Sequence, residues 1–333
     1  MTILDLLADA ANRGAAYLNG LSNRSVAPTP QAVAALSSFD GPLPPSPTDP
    51  ATILRRLDEI GSPATVATAG PRYFGFVIGG SLPATVAANM LAAAWDQPAG
   101  LVVASPATAV IEGIALRWLL EALSLPASCA AGFVTGATMA NFSCLAAARH
   151  ALLARTGWDV ETKGLFGAPE IRVVVGDEVH VSALKALSLL GLGRERVIRV
   201  PTDAQGRMRA DSVPALDART ILCLQAGNVN TGAFDPIAEL TARARDANAW
   251  VHVDGAFGLW AAAAPHRAAL TAGIEHANSW ALDAHKWLNV PYDSGVAICR
   301  DEPALRGAMG VRAAYLVQGA EREPSEYTPE LSR

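Results

Sequence analysis

From residue 130 onward, short apolar runs alternate with stretches of helical periodicity, and this alternation constrains the fold more than any other feature. Strand-like runs occupy 132–135, 172–175, 197–200, 221–225, 250–253, 279–282 and 296–300. Helical spacing is clearest between them over 137–155, 182–190 and 236–247. Strands separated by helices cannot pair as hairpins. They cross over and run mostly parallel, with helices on both faces. The expected architecture is α/β, with a seven-stranded, mainly parallel sheet. Ligands in such folds sit beyond the carboxyl ends of the strands, so residues that directly follow strands carry the most information.

Upstream of this region the chain reads as mainly helical, over 53–57, 84–95 and 108–123. Residues 1–50 read as an arm. Positions 5–21 have helical spacing, and the Pro-, Ser- and Thr-rich run 25–50 reads as an extended linker. So small a piece cannot bury its own apolar residues and is expected to pack on its own body or on a second subunit. The expected organisation is therefore an arm over 1–50, a large domain over 51–310, and a separate terminal segment over 311–333.

Bulk properties exclude several classes. Hydrophobic residues make up 51% of the chain and charged residues 17%, enough for a large buried core. The net charge of -5 comes with no basic stripe, which argues against nucleic acid as a partner. No Lys/Arg-rich amphipathic face points to a membrane surface. Residues 122–148 carry no charge and are long enough to span a bilayer, but Pro126, Gly132, Thr135, Gly136, Thr138 and Asn141 interrupt them. A strand, a turn and a helix fit better. Cys129, Cys144, Cys223 and Cys299 are far apart and form no CxxC pair, so neither a disulfide framework nor a zinc site is expected. With no basic region at the N-terminus to suggest a signal peptide, a cytoplasmic location is expected.

Four segments follow four different strands. Residues 132–138 (Gly-Phe-Val-Thr-Gly-Ala-Thr) lead from a strand through a turn into a helix, whose first-turn N–H groups suit a phosphate. Alone, the segment reads equally as a capped helix. Asp254 follows a strand directly. It could hold a protonated heterocycle, ligate a metal or cap the next helix. Gly255 and Ala256 leave room beside it for a flat ligand. Asp283-Ala-His285-Lys286-Trp287 is the sharpest signal, because a lysine after an apolar strand is a poor choice for packing. Desolvation favours the neutral, nucleophilic amine that Schiff-base chemistry requires. Trp280, Trp287 and Leu288 flank it and argue against full exposure. His180, in the segment that follows 172–175, could stack on a planar ring or simply start a helix. Together, a phosphate cradle, an aromatic face, a carboxylate and a reactive lysine are the four contacts that pyridoxal 5'-phosphate (PLP) demands.

These residues also carry a resemblance. His-Val-Asp-Gly-Ala at 252–256 followed by Asp-Ala-His-Lys-Trp at 283–287 resembles the group II PLP-dependent decarboxylases, the aromatic L-amino acid and glutamate decarboxylase family. The stretches 71–76 (Pro-Arg-Tyr-Phe-Gly-Phe), 104–108 (Ala-Ser-Pro-Ala-Thr) and 225–236 (Gln-Ala-Gly-Asn-Val-Asn-Thr-Gly-Ala-Phe-Asp-Pro) are similar to it as well. The resemblance runs from about residue 50 to the end of the sequence. It implies a fold-type I (aspartate aminotransferase-like) domain that decarboxylates an amino acid.

By that resemblance Lys286 forms the Schiff base and Asp254 pairs with the pyridine nitrogen. Ala256 and His180 cover the two ring faces. Gly136, Ala137, Thr138 and His285 surround the phosphate, with Asn228 and Asp283 nearby. Tyr315 falls where the family carries a mobile loop whose tyrosine returns a proton after carbon dioxide leaves. Tyr73 and Phe74 resemble substrate-pocket residues, often supplied across a dimer, and a homodimer is expected. The family continues into a small C-terminal domain, whereas this sequence ends at Arg333, with Thr328 and Pro329 reading as a helix N-cap and first position. A fragment or split gene is the expectation. Two alternatives stay open: transamination or another lyase reaction on the same cofactor, and a non-catalytic remnant that binds PLP or dimerises.

Overall fold

The computed structural model describes residues 2–311 and 322–331. Two compact units divide the chain, Met1–Gly80 and Ser81–Arg333. The Pro-rich stretch read as a linker lies inside the first unit.

In that first unit, helix α1 (Ile3–Gly20) starts in a capping box. Thr2 accepts the Asp5 N–H, and the Asp5 carboxylate accepts the Thr2 N–H. Helices α2 (Pro30–Ala35) and α3 (Pro50–Arg56) each open with proline after a capping Thr29 or Asp49. Proline is tolerated there because its missing N–H would have had no helical partner. Among the described residues of this unit, only Leu21 and Ala67 are buried hydrophobics.

The second unit begins with α4 (Pro83–Trp95) and α5 (Pro106–Ala122). The sheet follows, with helices between the strands: β1 (Ala130–Val134), α6 (Ala137–Ala154), α7 (Val160–Lys163), β2 (Arg172–Gly176), α8 (Val181–Leu189), β3 (Ile198–Val200), β4 (Thr220–Gln225), α9 (Ile237–Asp246), β5 (Trp250–Asp254), β6 (Ser279–Asp283), β7 (Gly295–Cys299) and α10 (Glu302–Met309). Every strand expected from the alternation forms, its ends shifted by at most two residues. The order across the sheet is β1-β7-β6-β5-β4-β2-β3. Only β7 runs antiparallel to its neighbours, β1 and β6. Since β1 and β6 both oppose β7, β1 points the same way as the parallel strands. The carboxyl ends of β1, β2, β5 and β6 therefore share one edge.

Both sheet faces are covered. Val251 and Val253 pack with Leu116, Leu222, Leu224 and Trp280 on one face, while Trp250 packs with Leu145, Leu152 and Val173 on the other. The strand period of two sends alternate residues to opposite sides, so β5 is buried throughout. Helix α6 lies on the second face against β7, β6 and β5. The uncharged stretch 122–148 resolves into the end of α5, strand β1 and much of α6. No helix among the described residues is long and apolar enough to cross a membrane.

The terminal segment departs from expectation. Thr328 accepts the Glu330 N–H at 3.3 Å, but residues 327–331 form bends and a turn instead of a helix. The segment is held against the β1 edge strand. Arg322 donates to the Ala131 carbonyl, and the Tyr327 carbonyl packs so closely on Gly132 that a Cβ there would stand 2.5 Å away.

Candidate cofactor site

The turn between β1 and α6 is built by close backbone approach. A Cβ on Gly295 would sit 2.5 Å from the Gly136 Cα, so the start of β7 and the head of α6 can meet only because Gly295 lacks one. This contact brings the α6 N-terminus beside the end of β6.

Asp283, the last residue of β6, is buried there and gathers three positive or donor groups. The Ala137 N–H, at the head of α6, donates to Oδ1 at 2.5 Å. Lys286 Nζ lies 2.9 Å from Oδ2, and His285 Nε2 lies 3.4 Å from Oδ1. A carboxylate is favoured at this place because the first-turn N–H groups of an α-helix have no helical partners and carry partial positive charge. His285 stacks on Tyr292, with centroids 4.2 Å apart, and its Nδ1 accepts the Ser294 N–H at 3.0 Å. Its proton is thus on Nε2, toward Asp283. Burial pushes the His285 pKa down, against the pull of Asp283.

Asp254, the last residue of β5, sits in different surroundings. Its Oδ2 accepts from Asn141 Nδ2 at 3.1 Å and its Oδ1 accepts the Ala256 N–H at 3.2 Å. Asn141 lies four residues after Ala137, hence on the same side of α6. One helix therefore touches both strand-end aspartates. Asn141 also donates to Ser182 at 3.2 Å, and its Oδ1 lies 2.8 Å from His252 Nε2. His252 Nδ1 and Trp250 Nε1 both reach Ser279 Oγ at 3.0 Å. Trp250, His252 and Asp254 alternate along β5 and so share a face, and His252 is in register with Ser279 of β6. Desolvation drops the His252 pKa to about 3, leaving the ring neutral.

Sequence reasoning missed Asn141, Ser182, His252 and Ser279 as parts of this cluster. The available signal was a histidine two residues before Asp254, on the same face of a strand.

The remaining candidates are placed as follows. Thr138 is exposed in the first turn of α6, and Gly136 and Ala256 are partly buried. His180 caps α8: its Nδ1 accepts the Ser182 N–H at 3.3 Å and faces the Ser182 hydroxyl at 2.7 Å. Asn228 is not joined to the Lys286 cluster. Its amide donates to Glu178 at 2.9 Å and its carbonyl accepts from Asn230 and Thr231, which closes its own loop. The residues flanking Lys286 shield it only in part. Trp280 is buried in the core, but Trp287 is 59% and Leu288 39% exposed. Lys286, at 18% exposure, is shielded where it meets Asp283. Tyr73 and Phe74 belong to the first compact unit, with Phe74 exposed. Tyr315 lies outside the described residues. Among the described residues no group of His, Cys, Asp or Glu could hold a metal ion.

Comparison with known proteins decides the family. The pyridoxal-dependent decarboxylase conserved domain matches residues 38–331. The chain belongs to the pyridoxal-dependent decarboxylase family. An aromatic-L-amino-acid decarboxylase of Bacillus atrophaeus is 28% identical over 311 residues, 90% of this chain and 62% of that protein. An L-2,4-diaminobutyrate decarboxylase of Rhizobium meliloti (strain 1021) is 32% identical over 241 residues, 69% of this chain and 44% of that protein. The crystal structure of Oryza sativa TDC with PLP and tryptamine superposes with a TM-score of 0.87 at 24% identity, covering 99% of this chain and 71% of that one. This last likeness establishes the fold, a fold-type I architecture. The chain thus spans between 44% and 62% of the length of these two sequence relatives.

Membership in a pyridoxal-dependent decarboxylase family makes PLP the cofactor, and the donor set here fits it. A long helix presents its N-terminus at a glycine turn where a Cβ on Gly136 would meet His285 at 3.2 Å and Asp283 at 3.3 Å. A lysine amine lies beside that turn, and a second buried carboxylate lies on the next strand.

Proposed function

We propose that this chain is the cofactor-binding part of an amino-acid decarboxylase that releases an amine and carbon dioxide. The observation that carries this reading is the pairing of Lys286 and Asp254 on adjacent strand ends, both tied to α6 through Asp283 and Asn141. Lys286 would supply the amine that holds the cofactor aldehyde, and Asp283 places that amine at the mouth of the α6 turn. Asp254 would meet the pyridine nitrogen with its carboxylate. The backbone of Gly136, Ala137 and Thr138, with His285, would hold the phosphate, next to the Ala137 N–H that Asp283 accepts. Ala256 and His180 would cover the ring. The cofactor supplies an electron sink for the bond to the substrate carboxylate. Lys286 or Tyr315 then returns a proton to the substrate carbon.

The relatives' names include aromatic and 2,4-diaminobutyrate decarboxylases, which supports an L-amino acid as substrate. Tyr73 and Phe74 are proposed to meet the substrate side chain from a second subunit. Asn228 is proposed to stay in its loop, since its polar atoms are already used there. We also propose a homodimer. Helix α4 buries none of its residues and exposes Met90, Leu91 and Trp95, and α5 exposes Val110, Ile111 and Trp118. Four buried, unpaired thiols are consistent with a reducing cytoplasm as the location.

Adding PLP to the purified chain should give a visible absorbance band that Lys286→Ala abolishes. No band in the wild type, or an equal band in the variant, would sink the assignment. With an amino-acid panel, carbon dioxide release distinguishes decarboxylation from transamination, which yields a keto acid. Light scattering should give twice the chain mass; a monomer would remove the dimer proposal.

A further inference from the structure

We infer that Trp250, Ser279, His252 and Asn141 form a one-way hydrogen-bond chain that orients Asp254, fixes the tautomer of His252 and, through Ser182, adds a hydroxyl donor to the backbone N–H that already makes His180 Nδ1 an acceptor. The chain is a property of the protein without cofactor; only its consequence for PLP rests on the proposed function.

Its direction follows from donor and acceptor chemistry. An indole N–H can only donate, so Ser279 Oγ accepts from Trp250 at 3.0 Å and turns its own hydrogen to His252 Nδ1. Asn141 faces a carboxylate oxygen, which only accepts, so its NH2 group points to Asp254 and its carbonyl to His252 Nε2. A carbonyl also only accepts, which places the His252 proton on Nε2. A neutral imidazole carries one such proton, so Nδ1 is bare, as the Ser279 hydroxyl requires. The two deductions, made from opposite ends, agree. The second hydrogen of Asn141 goes to Ser182 Oγ at 3.2 Å. Ser182 then gives its own hydrogen to His180 Nδ1, 2.7 Å away, and the Ser182 N–H donates to the same nitrogen. His180 is left with its proton on Nε2.

The members are deeply buried. Trp250 is 1% exposed, Asn141, His252 and Ser279 are 0% exposed, and Ser182 and Asp254 are each 7% exposed. Five polar side chains in an apolar layer between α6 and the sheet are costly unless every one is satisfied. Here each bond forces the polarity of the next. Asn141 is the branch point, donating to both Ser182 and Asp254, and is a positioning residue for Asp254.

Long-range proton–nitrogen NMR on the free 333-residue chain, labelled at histidine, tests this directly. His180→Gln and His252→Gln assign the two signals. Each ring should carry a proton on Nε2 and none on Nδ1. Asn141→Leu, which keeps the branched heavy-atom skeleton, should turn His252 into a mixture of tautomers, because no carbonyl then faces its Nε2, while His180 keeps Nε2–H through the Ser182 backbone N–H. The same variant should weaken PLP binding by about tenfold. If Asn141→Leu does not fold, Ser279→Ala gives the narrower test: His252 Nδ1 loses its hydroxyl donor, yet the Asn141 carbonyl should keep the proton on Nε2. A proton on Nδ1 of either ring in the wild type, a His252 unchanged in folded Asn141→Leu, or a His252 that mixes in Ser279→Ala overturns the inference. Failure of the wild type to bind PLP would instead overturn the proposed function and leave the tautomer result standing.

Discussion

Asp254 and Asp283 end neighbouring parallel strands, and their environments differ sharply. Asp283 is met by charge: a lysine ammonium, the positive end of α6 and a histidine N–H. Asp254 is met by neutral dipoles: an asparagine amide and a backbone N–H, themselves fixed by a neutral histidine. A carboxylate compensated by mobile charge can exchange partners when a ligand brings its own charge. One held by buried dipoles cannot move without leaving donors unsatisfied. The first suits a place where a phosphate and an amine must come and go, the second a fixed anchor for a ring nitrogen.

This contrast can be broken from either side. The largest effect is expected from Asp254→Ala, which removes the anchor's charge and strands the Asn141 amide. PLP affinity should fall about 100-fold, read by fluorescence titration. A loss no larger than that of Asp283→Ala would erase the distinction.

Acid should act next, and selectively on the dipole side. His252 has its folded pKa lowered from 6.5 to about 3, so its contribution is present above pH 6.5 and lost as pH falls toward about 3. Urea unfolding should therefore show about 2 kcal/mol of stability lost between about pH 7.5 and about pH 5, absent in His252→Gln. Asp235 works the other way. Burial raises its pKa from 3.8 to about 6, so its contribution is present below 3.8 and lost as pH rises through about 6. The difference between wild type and variant isolates His252, and parallel curves would refute its role.

The smallest effect is expected from Asp283→Asn. It keeps an acceptor for the Ala137 N–H but removes a negative charge near the proposed phosphate cradle. PLP binding should tighten by about threefold, measured in the same titration; a marked weakening would mean that the charge itself is needed to hold the Lys286 amine in place.

Much of the site was legible in the chain. Lys286, Asp254 and the 132–138 turn were marked because each follows a strand directly, and strand ends are readable from apolar runs. Asn141 was not. It lies inside a long uncharged stretch, where a single amide looks like an interruption of hydropathy. His252 reads only as part of the 252–256 motif, not as a buried partner of Asn141. Trp287 and Leu288 misled in the opposite sense, since apolar flanks suggested shielding and both are exposed.

The sequence by itself determined the seven strands, the mainly parallel character of the sheet and the residue types at the strand ends, because hydrophobic periodicity and turn chemistry are local. Only the tertiary structure decided which of those residues meet. The β1–β7–β6 order and the Gly136–Gly295 approach set the head of α6 beside Asp283, and one helical turn later set Asn141 beside Asp254. Strand order and the path of a crossover helix depend on contacts far apart in the chain, which no local pattern encodes.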